Sequence, residues 1–131
     1  MFRRGQAFLA LIFFIGGIVL LIGITIAFLA NSFIDSGYGY KAALQAEAVA
    51  TSGANDAMLQ LQRNSGFSSG GYNMTVGSST ATVTVTQNSP SSGFITILST
   101  ATVSNRTRNV NVVLSLNATT SQTSVVSWQF K

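Results

Sequence analysis

The sequence predicts an α+β fold in which a long N-terminal helix, membrane-spanning in its first half, packs on a C-terminal antiparallel β-sheet. Three observations predict it. Residues 7–30 are apolar or glycine except for one threonine. Residues 41–63 keep small or apolar side chains at helical spacing. Beyond Arg63 the composition shifts to serine, threonine, glycine and valine, with the alternation typical of strands.

Composition limits the classes of protein that the chain fits. Its 131 residues suffice for one small folded unit beside a spanning segment. Hydrophobic residues make up 47% and charged residues 8%, and the apolar share is concentrated at the N-terminus, as in membrane proteins. The net charge is +4, but the cations are scattered along the sequence, which predicts no nucleic-acid binding. The absence of cysteine excludes disulfides and thiolate metal sites.

The first element is a membrane-spanning helix. A helix over residues 7–30 is about 36 Å long at 1.5 Å per residue, enough for a hydrocarbon core of about 30 Å. Arg3 and Arg4 precede it and the first acid, Asp35, follows it. The positive-inside rule therefore places the N-terminus in the cytoplasm and the remainder of the chain outside.

Processing of this segment has two interpretations. The apolar run is longer than the core of a secretory signal, and no A-x-A pattern follows it, which argues against cleavage after the run. In front of it, Arg3-Arg4-Gly5-Gln6-Ala7 resembles the site that prepilin peptidases cut in type IV pilins, which implies a mature chain beginning at Gln6. The alternative is an uncut signal anchor whose two arginines set topology.

Small residues interrupt the bulky apolar run. Gly16, Gly17, Gly23 and Ala27 include a Gly23-xxx-Ala27 spacing, which lets another helix approach closely. The alternative is that glycine is simply common in membrane helices.

A second helical segment follows. Glycines in Ser36–Tyr40 indicate a break, since each costs about 1 kcal/mol in a helix relative to alanine. From Lys41 to Arg63 the pattern resumes strongly, with one small or apolar face formed by Ala43, Ala46, Ala50, Ala54, Ala57 and Leu61. Such a face suits close packing on a sheet or on another helix.

Gln45–Leu59 resembles the alanine-rich helix of PilX-type minor pilins, which also follows a basic leader and a membrane helix. The resemblance covers roughly the first half of the chain and implies the pilin lollipop. It implies a leader over 1–5, a transmembrane and filament-core helix over 6–34, an amphipathic continuation over 35–63 and an antiparallel β domain over 64–131. Assembly would use Phe8, Ala10, Phe13, Phe14, Gly16, Gly17, Gly23 and Ala27.

Ala10 departs from the pattern of most major type IV pilins. Those proteins carry a glutamate at the matching position, thought to pair with the N-terminal amine of a neighbouring subunit. Its absence is shared by PilX-like proteins and by the K-type minor pseudopilins of type II secretion. The resemblance therefore points to a minor or tip role, with a filament that bundles by apolar contacts alone as the alternative.

Alternating residues predict four strands, 72–76, 80–87, 94–103 and 107–116, and a fifth over 124–130. Short connections imply an antiparallel meander. In the second strand Ala81, Val83 and Val85 share one face and the threonines the other, as expected of a sheet covered on one side. We expect the threonine face to be solvated, and Trp128 with Phe130 to be a core anchor or a subunit contact.

Groups for catalysis and cofactor binding are missing from the sequence. There is no histidine, and Asp35, Glu47 and Asp56 are the only acids. No serine nucleophile motif, phosphate loop or metal-ligand spacing is present. The sequence thus predicts a non-enzymatic protein without metal or cofactor.

The expected function is that of a structural subunit of an extracellular type IV pilus-like filament. Its partners would be copies of itself or other pilins, the membrane before assembly, and a prepilin peptidase. The precursor would lie in the cytoplasmic membrane and the mature chain in the filament. The alternative is a single-pass, signal-anchored surface protein that displays its β domain for binding or adhesion.

Overall fold

The computed structural model describes residues 2–131, with side chains from Gly5 onward. One helix, α1 (Phe2–Arg63), precedes five strands, β1 (Ser69–Val76), β2 (Ser79–Gln87), β3 (Phe94–Val103), β4 (Arg106–Leu116) and β5 (Thr123–Phe130). The chain divides into an N-terminal unit that ends at Tyr38 and a C-terminal unit, Gly39–Lys131. The predicted α+β class is confirmed. Met1 and the side chains of Arg3 and Arg4, on which the predicted leader depends, lie outside the description.

Helix α1 is continuous through Ser36–Tyr40, so the predicted break is wrong. The two glycines there cost about 1 kcal/mol each in a helix. A break would free four N–H and four C=O groups at the new helix ends, which is the larger cost. The helix ends at Arg63, where the Asn64 amide still donates to the Gln60 carbonyl at 2.9 Å and the Asn64 side chain accepts from the Gly66 amide at 3.1 Å.

The five strands form one antiparallel sheet in the order β1-β2-β3-β4-β5, which confirms the predicted meander. The predicted strand limits agree with the structure to within three residues at every end. The connection from β3 to β4 is the pair Ser104-Asn105, both at positive φ (46° and 62°), a geometry that matches the twist of a hairpin. Gly77, at φ 61°, turns β1 into β2. These two turns lie at the same end of the sheet.

The core of the C-terminal unit lies between one face of the helix and the central strands. The sheet contributes bulky side chains and the helix mostly alanine, so that the two surfaces approach closely. The largest fully buried side chains of the sheet are Val83, Ile95, Ile97, Ser99, Val110, Val112 and Leu114. On the helix, Ala46, Ala50, Ala54, Ala57 and Leu61 are buried as predicted, whereas Ala43 is only half-buried and Ala42 and Val49 are buried instead.

Helix and sheet approach each other closely at Gly53. A methyl group on this residue would lie 2.5 Å from Ser99 Oγ and 2.8 Å from Val83 Cγ2. Both atoms belong to the rigid middle of the sheet, so neither can move away easily. The Ser99 hydroxyl is itself buried without a hydrogen-bond partner. Glycine is therefore required at position 53 by the helix–sheet distance.

A hydrogen bond links the helix to the edge strand β1. The phenol of Tyr72 donates to Oδ2 of Asp56 at 2.7 Å, and the ring of Phe67 stands edge-on to that of Tyr72 with centroids 6.0 Å apart. Burial, and then the hydrogen bond and negative charge of Asp56, raise the pKa of Tyr72 far above its ordinary value of 10.0. The phenol thus stays protonated while the unit is folded.

The tight contact at Gly53 predicts opposite effects for two glycine substitutions in one helix. Gly53→Ala should destabilise the C-terminal unit, since overpacking a core costs about 1–3 kcal/mol and the gain in helix propensity is about 1 kcal/mol. Gly39→Ala should be neutral or stabilising, because the atoms it would meet belong to the mobile end of Arg106. Denaturant unfolding followed by fluorescence of Trp128, the one tryptophan, measures both.

Ser99→Ala is the companion variant. Removing an unpaired buried hydroxyl should leave the free energy of unfolding unchanged or raise it. It should also lessen the loss caused by Gly53→Ala in the double variant. Equal stability of Gly53→Ala and Gly39→Ala would contradict the close approach.

The Tyr72–Asp56 contact predicts a loss of stability at alkaline pH. Because the folded-state pKa of Tyr72 is raised, its contribution is complete below the unfolded value near 10 and is lost as pH rises above it. Tyr72→Phe should cost about 1–2 kcal/mol at neutral pH. The variant should also flatten the decline in unfolding free energy above pH 10 relative to the wild type. An identical decline in both proteins would contradict this assignment.

Candidate assembly and membrane segment

The N-terminal unit is an apolar helical surface that its own chain does not cover. Every leucine, isoleucine, valine and phenylalanine between Phe8 and Ile34 is exposed, from 44% at Ile18 to 82% at Phe13. Monomeric soluble proteins rarely expose apolar patches above a few hundred Å². A partner outside the described chain must cover this surface.

Length and composition make this segment fit to cross a membrane. α1 is the one helix of the described chain long and apolar enough to do so, with a mean hydropathy of 2.9 over its most apolar window and none of that window buried. Thr25, the single polar residue of the run, donates its hydroxyl to the Leu21 carbonyl at 2.8 Å. No side chain of the run therefore carries an unmet hydrogen-bonding group into lipid.

The predicted assembly residues lie on several sides of this helix. One side carries a shallow apolar groove lined by Gly5, Gln6, Leu9, Ala10, Phe13, Phe14, Gly17, Ile18, Leu20 and Leu21. The structure thus brings the two predicted processing residues, Gly5 and Gln6, onto the same side as Ala10 and Phe13. Phe8, which is 64% exposed, is half a turn away from Gly17 at 100° per residue and does not line the groove.

Gly16, Gly23 and Ala27 form a separate small-residue side. At 100° per residue they fall within about 40° of one another around the helix. No atom lies within 4 Å of a methyl group built on Gly16, Gly17 or Gly23. The surface is therefore open to the close approach of a second helix, the geometry that small residues permit in membranes.

The described residues of the C-terminal unit form no cluster of metal-binding side chains, and its sheet exposes mainly small polar groups. Within the described residues no group of three or more histidine, cysteine, aspartate or glutamate side chains comes together in a way that could hold a metal ion. The outward face of the sheet carries hydroxyl pairs across strands, such as Thr102 with Thr107 at 2.8 Å and Ser115 with Ser124 at 2.7 Å. Trp128 is half-buried against the core, as a core anchor should be, whereas Phe130 is 53% exposed.

The structure also reveals contacts that sequence patterns did not indicate. Arg106, at the start of β4, lies against Gly39 of the helix, where a methyl group would be 3.0 Å from its Nη2 atom. Asp56 accepts a hydrogen bond from Tyr72, and Gly53 lies close to Ser99, although the residues of each pair are far apart in sequence. None of these pairs has a short-range spacing signal.

Comparison with family models, with curated proteins and with solved structures gave no match for this chain. The function is therefore argued from the exposed helix and from the unit that follows it.

A charge placed in the exposed segment tests its role. Val19→Asp puts a carboxylate at the middle of the run, at a side chain that is 63% exposed. Aspartate at the centre of a spanning helix costs about 2.5–3.5 kcal/mol on the insertion scale, so membrane insertion should fall sharply. Alkaline carbonate extraction of the expressing membranes measures the inserted fraction.

The matched control is Leu59→Asp, at a 53% exposed leucine of the C-terminal unit. It should leave the inserted fraction unchanged. Val19→Asp should not alter unfolding of the C-terminal unit, since Val19 contributes nothing to that core. Complete extraction of the wild-type chain by carbonate would show that the segment does not cross the membrane.

Proposed function

We propose that the protein is a structural subunit of an extracellular type IV pilus-like filament, similar to PilX-type minor pilins. The observation that carries the proposal is helix α1, whose exposed apolar half continues without interruption into the core helix of a compact α+β unit. The apolar half would be held in the membrane first and would later pack against other subunits.

The independence of the two units supports this sequence of events. The core of the C-terminal unit is built from residues 49–114 and includes no side chain of the apolar segment. Its stability therefore does not depend on what surrounds Phe8–Ile34. Moving that segment from lipid to a bundle of similar helices exchanges one apolar environment for another, at little cost in transfer free energy.

The residues at the start of the segment define the kind of assembly. Ala10 offers no carboxylate to the amine of a neighbour, and the exposed side chains from Phe8 to Ile34 are apolar. Packing in the filament would depend on shape and on the small-residue side at Gly16, Gly23 and Ala27. Such a subunit fits a minor or tip position.

Intact-mass measurement tests the processing step. The chain isolated from its native membranes or fibres should lack Met1 to Gly5 and begin at Gln6. Gly5→Leu should retain the leader and remove the chain from sheared fibres, because the cleavage site is then altered. Gly37→Leu is the matched control, since Gly37 is an exposed helical glycine with nothing within 4 Å of an added methyl group. It should be processed normally.

Electron microscopy of sheared material separates the proposal from its alternative. A filament subunit should be found in fibres, along their length or at their tips, by labelling of the C-terminal unit. A signal-anchored adhesion protein would keep its first five residues, would be absent from fibres and would be extracted by detergent as monomers or small oligomers. That second set of results would overturn the proposed function.

A further inference from the structure

Four of the five cations in the C-terminal unit gather at one end of it. The guanidinium of Arg106 lies against Gly39, and Lys41 is two residues further along the helix. Arg108 follows Arg106 on the same face of β4. Lys131 exchanges two backbone hydrogen bonds of 2.9 Å with Asn109, the neighbour of Arg108, so it lies at the same end of the sheet but on the opposite face. The fifth cation, Arg63, is at the other end, where the helix finishes.

This end of the unit carries more positive than negative charge. All four side chains are exposed. The segment from residue 64 to residue 131 contains no aspartate or glutamate. The nearest acids along the helix are Asp35, four residues before Gly39, and Glu47, six residues after Lys41. The end of the unit defined by Lys41, Arg106, Arg108 and Lys131, called here the basic end, thus carries four exposed cations on more than one of its sides.

Gly39, against which Arg106 lies, follows the apolar segment closely in sequence. Gly39 is five residues from Ile34, and five residues of fully extended chain span at most about 18 Å. Tyr38 and Tyr40, which flank Gly39, are 70% and 69% exposed. Exposed tyrosines at this distance from a spanning run are typical of the headgroup region of a membrane.

We propose that the basic end binds the headgroups of anionic phospholipids on the outer surface of the membrane that α1 crosses. This inference rests on the membrane-held stage of the proposed function and does not require a filament. Guanidinium and ammonium groups donate charge-assisted hydrogen bonds to phosphate oxygens. Cations beside an anionic leaflet each increase association roughly fivefold.

Acidic groups of another copy of the chain are a poorer match for the basic end. Each copy has three acids. Asp56 already accepts from Tyr72 at 2.7 Å, and Glu47 is half-buried, which leaves Asp35 as the freely exposed one. One carboxylate does not balance four cations. A leaflet with anionic lipids presents many phosphates at once.

The test uses the full chain with a fluorophore at one introduced cysteine, since the sequence contains none. Ser78→Cys places the label in the β1–β2 turn, at the same end of the sheet as Arg106 and on an exposed side chain. The chain is reconstituted into vesicles of phosphatidylcholine, alone or mixed with phosphatidylglycerol. Both contain the same small fraction of lipid with a nitroxide on its headgroup. Flotation measures insertion, and quenching measures approach to the headgroups.

We expect quenching to increase when phosphatidylglycerol is present and to return to the phosphatidylcholine level at high salt, where exposed charges are screened. The combined variant Arg106→Gln, Arg108→Gln, Lys131→Gln should lose more than half of this increase. Arg63→Gln, the control at the other end, should retain it. Arg106→Lys keeps the charge and should retain it as well. Unchanged unfolding by Trp128 fluorescence shows that the variants are folded.

Each contrary result has a distinct meaning. Flotation accompanied by quenching that does not depend on phosphatidylglycerol overturns the basic end as a lipid-binding surface and leaves the filament proposal intact. If Arg63→Gln and the combined variant lose the quenching increase equally, the effect depends on net charge alone. That result also overturns the basic end as a lipid-binding surface. Crosslinking between copies that depends on the three cations, without lipid dependence, assigns the surface to self-association instead. Failure to float overturns both the membrane anchor and this inference.

Discussion

At Gly53 the backbone of α1 lies so close to Ser99 and Val83 that no larger residue fits between helix and sheet. The rest of the C-terminal unit is arranged around this distance. Alanines on either side of Gly53 keep the helix close to the sheet along its length, and bulky residues of β2, β3 and β4 fill the remaining space. The same distance brings Asp56 to Tyr72 at one edge of the sheet and Arg106 to Gly39 at its end.

The two halves of α1 are both helical but differ in packing: one face of the second half is buried against the sheet, whereas the first half is exposed. Beyond Gly39 the side chains facing the sheet are small, and burial is complete on that face. Over residues 7–30 the side chains are apolar on all sides except at Thr25, and burial is absent. A helix that is apolar all round is stable only inside a larger apolar environment. The C-terminal unit leaves none of its own core open to provide one, so the environment must be lipid or other chains.

Much of this fold was predictable because its signals are local. Alternation in residues 80–87 identified β2 and its buried face, and alanine spacing identified the buried face of the helix. Two errors have physical causes. Glycines 37 and 39 suggested a break, but continuing a helix costs less than ending and restarting it. Ala43 was placed on the buried face, yet the contact is centred nearer Ala42 and Val49, since spacing fixes the period of a face and not its exact orientation. The leader, the assembly surface and the filament remain predictions.

Spacing in the sequence could not predict which charged side chains lie at the same end of the C-terminal unit. Lys41, Arg106 and Lys131 are far apart in sequence, and only the antiparallel order of β4 and β5 and the contact at Gly39 bring them to one end. The exposure of these cations also limits the strength of the surface. Exposed charges are screened by salt and are worth little individually. A weak, salt-sensitive hold on headgroups would orient the C-terminal unit while α1 is in the membrane. Such weak binding would also permit release of the chain from the membrane, which a filament subunit requires. A deep, dehydrated lipid site would oppose that release.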